Sequence, residues 1–196
     1  STSTGYSIVN GMAMHLVGNT FAYTGTQARG SVATYAYTLT GNTYINLGTA
    51  LSFSYFTNNI VISNSTFINC STGITEANQA YERTRTITNC YFANCTTGIQ
   101  SLLSDNSGFH VVNCGFYNNT NNVGSNIPLL VNPRYDTSDP FVDSANKDFR
   151  LKSTSLGYAS ALPNRSYASG ELNGRDIGSL QHVDPIDFSP FHPLGS

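Results

Sequence analysis

The sequence predicts an all-β solenoid, a parallel β-helix of about five coils followed by an irregular C-terminal cap. Three observations carry that expectation. Aromatic residues recur at Phe21, Tyr44, Phe67, Phe92 and Phe116, at intervals of 23, 23, 25 and 24 residues. An aliphatic precedes each by five residues (Leu16, Leu39, Ile62, Ile87, Val111), and another follows the last four by seven (Leu51, Ile74, Ile99, Val123). Two residues after each aromatic comes Tyr23, then an unbroken column of Asn46, Asn69, Asn94 and Asn118. A repeat of this length marks stacked supersecondary units, each of which buries its apolar face against the next.

The residue types choose the unit. Thr, Ser, Asn, Gly, Val, Ile, Tyr and Phe suit strands and turns, whereas helical repeats are longer and rich in Ala, Leu, Glu and Lys. Asn59-Ile60-Val61-Ile62-Ser63-Asn64 alternates at period two and then stops at turn residues. The leucine consensus of leucine-rich repeats is missing. Successive coils one strand spacing apart, about 4.8 Å, would set Phe on Phe and Ile on Ile inside. The Asn column would set amides at a turn, each able to donate to the next. All seven prolines lie beyond residue 127, so none interrupts the coils. The expected division is a lead-in over residues 1–13, coils over 14–123, and a cap and tail over 124–196.

Two stretches resemble a known family. Ile62-Ser63-Asn64-Ser65-Thr66-Phe67-Ile68-Asn69-Cys70 and Ile87-Thr88-Asn89-Cys90-Tyr91-Phe92-Ala93-Asn94-Cys95 are similar to coils of the right-handed parallel β-helix, pectate-lyase-like superfamily. Asp139-Pro140-Phe141-Val142-Asp143-Ser144-Ala145-Asn146-Lys147-Asp148-Phe149-Arg150-Leu151, followed by Arg175-Asp176-Ile177-Gly178, resembles the terminal segment of bacterial and phage surface β-helix proteins. The resemblance spans residues 14–181 and implies right-handed coils whose last member that segment closes. It says little about function, because this fold hosts lyases, hydrolases, tailspikes and adhesins.

Composition narrows the class. The 196 residues carry a net charge of −2, and only 10% are charged, well below the usual quarter. No basic patch for nucleic acid and no apolar run long enough to span a membrane is present. Ser1 fits either removal of an initiator Met or cleavage of an upstream segment.

A β-helix lyase requires acids that hold Ca²⁺ and an Arg or Lys base; a glycosidase requires two facing carboxylates. Between residues 14 and 123 the only charged residues are Arg29, Glu76, Glu82, Arg83, Arg85 and Asp105, and no two acids share a column on adjacent coils. Glu76, Glu82 and Asp105 are expected in loops. Catalysis is therefore disfavoured, and no catalytic residue, metal site or cofactor is assigned. His110 reads as structural, and Asp136, Asp139, Asp143 and Asp148 as turn formers without a Ca²⁺-loop pattern.

The binding candidates are Tyr81, Glu82, Arg83 and Arg85, a cluster able to meet an acidic sugar or a neighbouring subunit but better read as a solvated loop. Tyr35, Tyr37, Tyr55, Tyr81 and Tyr117 are expected to present flat amphipathic rings to sugars or subunits. Cys70 aligns with Cys95 and Cys90 with Cys114 on adjacent coils, which admits either buried thiols or disulfides. Asn-X-Ser/Thr occurs at Asn64, Asn69, Asn94, Asn118 and Asn164; several of these belong to the stacked Asn columns, so ladder amides are a better reading than glycan acceptors.

The expected function is a non-catalytic structural or adhesive subunit of a multimeric extracellular, cell-surface or virion-surface assembly that also binds glycan. Its expected partners are copies of itself, as a trimer or filament, and polysaccharide, and its open N-terminal rung is expected to stack on another subunit, on a partner or on an upstream part of the polypeptide. The alternatives are a β-helix polysaccharide lyase or glycoside hydrolase, and a monomeric glycan-binding module.

Overall fold

The computed structural model describes residues 15–23, 31–33, 38–53, 60–76, 85–102, 109–161 and 176–179, and every regular element among them is a strand. The first coil holds β1 (His15–Val17), β2 (Thr20–Ala22) and β3 (Ser31–Ala33); the second holds β4 (Thr38–Thr40), β5 (Thr43–Ile45) and β6 (Thr49–Phe53). The third consists of β7 (Ile60–Ser63), β8 (Thr66–Ile68) and β9 (Thr72–Glu76), and the fourth of β10 (Arg85–Thr88), β11 (Tyr91–Ala93) and β12 (Thr97–Ser101). The fifth has β13 (Phe109–Val112), β14 (Gly115–Tyr117) and β15 (Asn121–Val123). Strands β16 (Leu129–Val131) and β17 (Arg134–Asp136) add a sixth, two-strand rung. Like strands pair in parallel into three sheets, ordered β1-β4-β7-β10-β13-β16, β2-β5-β8-β11-β14-β17 and β3-β6-β9-β12-β15. The molecule is a parallel β-solenoid.

The repeat columns become physical stacks. Leu39, Ile62, Ile87 and Val111 align in register on the first sheet and are fully buried. On the second sheet Phe21, Tyr44, Phe67, Phe92 and Phe116 stack with ring centroids 5.2, 4.8, 4.7 and 5.5 Å apart and planes within 15° of parallel. Tyr135 extends this stack at 5.7 Å. Leu51, Ile74 and Ile99 line the third wall.

Left-handed residues make two of the corners. Between the first and second sheets, φ is positive at Gly18, Gly41, Asn64, Asn89, Asn113 and Asn132; between the second and third, at Asn46, Asn69, Asn94 and Asn118. Asn and Gly tolerate this region best, because Gly has no Cβ and the Asn amide bonds locally. The amides then ladder upward: Asn132 Nδ2 donates to Asn113 Oδ1 at 2.7 Å, Asn113 Nδ2 to Asn89 Oδ1 at 2.8 Å, and Asn118 Nδ2 to Asn94 Oδ1 at 2.7 Å. Asn46 instead caps the carbonyl of Tyr23 at 3.1 Å.

Two expectations change. Coil pairing continues past residue 123 through β16 and β17. Pro128 and Pro133 misled because they precede β16 and β17, at turns where a missing N–H breaks no ladder bond. The terminal segment also does not simply close the last coil. Its antiparallel hairpin, β18 (Phe141–Asp143) with β19 (Asp148–Leu151), folds back against the outer face of the second sheet. There Phe141, Phe149, Leu151 and Ile177 bury Ile68, Tyr91 and Ala93. The strap then descends the rod: Gly178 N donates to Asn89 O at 2.8 Å and Ser179 N to Thr66 Oγ1 at 2.8 Å, and the hydroxyls of Ser179 and Thr43 meet at 2.7 Å. One short segment thereby ties the fourth, third and second coils.

Candidate functional site

Two constellations of ionisable side chains stand out, one inside the coils and one beneath the strap. The inner one is an ion pair. Glu76 ends β9 between Phe53 below and Ser101 above in register, and Arg85 opens β10 between Ile60 and Phe109. Their side chains meet across the third corner, with Glu76 1% and Arg85 9% exposed, and the guanidinium lies 6.0 Å from the centre of the Phe109 ring. Glu76 was expected in a loop and Arg85 in a solvated cluster; both are buried strand residues. Their mutual charge explains the difference, since a paired charge tolerates burial that a single one does not. Tyr81, Glu82 and Arg83 lie outside the described residues, as do Asp105, Tyr35, Tyr37, Tyr55, Asn164 and residues 1–14, on which the expectation of an open N-terminal end rests.

The second constellation centres on Asp136. Its carboxylate accepts from Tyr91 Oη, from Ser155 Oγ at 2.9 Å and from Leu156 N at 2.8 Å. Burial, with the Asp136 hydrogen bond behind it, pushes the Tyr91 phenol far above the usual tyrosine range, so Tyr91 stays a donor. The Tyr91 ring fits because the residue stacked on it is Gly115, where any Cβ would collide with the ring. Sequence reading missed this lock, although a glycine following Thr20, Thr43, Thr66 and Tyr91 in one column was a usable signal.

The remaining acids serve turns, a surface ion pair and a tie within the strap. Asp139 accepts from Phe141 N at 3.0 Å and Ser144 Oγ at 2.7 Å, Asp143 from Asn146 Nδ2 at 2.7 Å, and Asp176 from Ala159 N at 2.8 Å. Asp148 forms a surface pair with Arg150 at 2.6 Å, which holds its carboxyl below the usual range. Among the described residues, no three His, Cys, Asp or Glu side chains converge on a metal position, and no helix is long and apolar enough to cross a membrane. His110 is half-buried in β13, and Tyr117 packs against the strap's apolar cluster.

The four cysteines are buried thiols. Cys70 and Cys95 each follow a left-handed Asn at the second corner, and Cys90 and Cys114 do so at the first. Contact with Cys95 together with burial raises the Cys70 thiol well above its ordinary value, and burial with contact to Cys114 does the same for Cys90. Cys70 and Cys90 therefore do not ionise readily and are poor nucleophiles in the folded state, whereas interaction with Cys70 lowers the Cys95 thiol. Compared with known proteins, the chain matches no family model, no curated protein and no solved structure.

Proposed function

We propose that this chain is a non-catalytic structural or adhesive subunit of a multimeric assembly on an extracellular or virion surface, one that presents a glycan-binding wall, and that it belongs with the pectate-lyase-like β-helices its coils resemble. The observation that carries the reading is the use made of the acids. Each of the six described ones is engaged by a structural donor, in the buried pair, the Asp136 lock, a turn, the surface pair with Arg150 or the strap's own backbone. General acid–base work on a polysaccharide needs a carboxyl free to exchange protons with substrate. What faces outward on the coils is instead uncharged: Thr72, Thr97, Thr75 and Gln100 on the third sheet are half-exposed. Such surfaces fit neutral sugars and subunit contacts better than charged ligands.

Self-association is supported by the last rung. Tyr135 tops the aromatic stack yet remains 45% exposed, and β16 and β17 each end a sheet with one edge unpaired among the described residues. An exposed edge of this kind is a template for another strand. Mass photometry and negative-stain microscopy of the purified chain test the proposal. A defined trimer or a filament is the expected result; a monomer across micromolar concentrations overturns the assembly. A screen of neutral and acidic polysaccharides reads the rest, and cleavage of any of them would replace this reading with a β-helix lyase or hydrolase.

A further inference from the structure

The four cysteines form two matched sets, one at each left-handed corner. Thr96 N donates to Cys70 O at 3.1 Å, and Gly115 N donates to Cys90 O at 2.9 Å. In each case the residue after the upper cysteine binds the carbonyl of the lower one, so the two cysteines stack directly. Their Cα atoms are then one strand spacing apart, about 4.8 Å, inside the window of roughly 4.4–6.8 Å that a disulfide needs. All four side chains point into the core, with Cys90 and Cys114 fully buried and Cys70 and Cys95 2% exposed. Within each pair the two thiols influence each other, and that interaction helps raise Cys70 and Cys90. Each otherwise leans on main-chain oxygens, as in Cys95 Sγ to Phe67 O at 3.8 Å and Cys114 Sγ to Ile87 O at 3.7 Å.

Small-hydrophobe packing accounts for a buried cysteine but not for this distribution. The corner columns are otherwise filled by unlike residues, Leu47 and Asn119 in one, Asn42 and Ser65 in the other. Yet the chain has four cysteines, and all four occur in register with another on the adjacent coil, leaving none over. The two pairs overlap on one coil: Cys70–Cys95 spans the third and fourth, Cys90–Cys114 the fourth and fifth.

We infer that these are two dithiol sites that close into inter-coil disulfides while the coils assemble, the co-reactant being a disulfide oxidant. One cysteine thiolate attacks the oxidant's disulfide, forming a mixed disulfide and releasing one thiol. The stacked cysteine then displaces the second thiol. Two S–H bonds are lost and one S–S bond forms in the protein, while two electrons and two protons leave with the oxidant as two thiols. The finished rod excludes the oxidant from all four sulfurs. Pairing is therefore set at folding and then sealed, and the fourth coil is riveted to both neighbours at different corners.

The test folds the full chain under two conditions, from guanidinium into buffer with glutathione disulfide and into buffer with reductant alone. Thiols are then alkylated with iodoacetamide after denaturation and read by intact mass and peptide mapping. The oxidised arm should show no alkylatable thiol and two cross-linked peptides, Cys70–Cys95 and Cys90–Cys114. Its thermal midpoint should lie roughly 10 °C above that of the reduced arm. Chain folded in reductant and only then given glutathione disulfide should keep four alkylatable thiols for hours. Four thiols in the first arm, or any other pairing, overturns the sites; equally fast oxidation of the folded chain overturns the sealing. Cell-free synthesis with the same two buffers gives the same readout where refolding is incomplete.

Discussion

Two apolar clusters hold this molecule together, and they are built on opposite plans. The coil interior is a stack of near-identical layers, in which Phe67 packs between Tyr44 and Phe92 and Ile87 between Ile62 and Val111. The strap cluster occurs once: Phe141, Phe149, Leu151 and Ile177 against the outward residues Ile68, Tyr91 and Ala93. In the first, every layer supports its two neighbours, as in a one-dimensional array of repeats. In the second, a single anchor holds a segment that reaches across coils. The repeated cluster should therefore fail globally when one layer is removed, and the unrepeated one locally.

Removing one layer gives the largest expected effect. Phe92→Ala should cost about 3–5 kcal/mol, since the ring is fully buried and stacked on both faces. Phe141→Ala removes an equally buried ring but should open the strap before the coils. Urea denaturation with hydrogen exchange separates the two. Phe141→Ala should expose the amides of Ile177 and Gly178, which bond to Gly157 and Asn89, while the amides of β11 stay protected. Simultaneous loss of protection in both regions would show that strap and coils are one cooperative unit.

The Glu76–Arg85 pair sharpens the comparison from inside, because it lies in the coil interior yet is not repeated. Either single change, Glu76→Leu or Arg85→Met, leaves a buried charge without its counter-charge and should cost about 3–5 kcal/mol. The double change Glu76→Leu with Arg85→Met should recover most of that, since apolar residues suit the neighbouring Phe53, Ile60 and Phe109. Additive losses in the double mutant would refute the coupling. Beneath the strap, Asp136→Ala should cost about 1.5–3 kcal/mol, the range for hydrogen bonds to a charged group, because Tyr91, Ser155 and Leu156 lose their common acceptor. The loss should fall on strap protection rather than on the coils.

The same division governs what the sequence could show. The aromatic and aliphatic columns and the second Asn column were legible because identical environments recur at a nearly fixed period. The first corner was not, since its left-handed column changes from Gly18 and Gly41 to Asn64, Asn89, Asn113 and Asn132, so that conformation persists while residue identity does not. Glu76 and Arg85 were misread by the rule that charges lie outside. That rule fails where two opposite charges face each other across a corner. The strap was illegible for a different reason: Asp136 with Tyr91 and Ser179 with Thr43 are contacts 45 and 136 residues apart, and nothing repeats to announce them.

The smallest expected effect tests whether the interior stack wants a polar atom at all. Tyr44 sits between Phe21 and Phe67, fully buried, and its hydroxyl has no hydrogen-bond partner among the described residues. A buried unsatisfied hydroxyl costs about 1–3 kcal/mol, so Tyr44→Phe, which keeps the ring and removes only that atom, should stabilise the chain by about 1 kcal/mol. The gain should depend on pH with a definite sign. Burial raises the Tyr44 phenol well above its ordinary value of 10.0, so the unfolded chain loses this proton at a lower pH than the folded one. Where the folded state holds more protons, stability falls as pH rises; the Tyr44 share is intact below the ordinary tyrosine range and declines above it. The substituted ring has no proton to lose, so the advantage of Tyr44→Phe in the urea midpoint should widen as the pH is raised from neutral into the ordinary tyrosine range, about 10. A variant less stable than the parent at neutral pH would mean that the hydroxyl does bind something in the rod, and that the aromatic stack is not the purely apolar column its repeats describe.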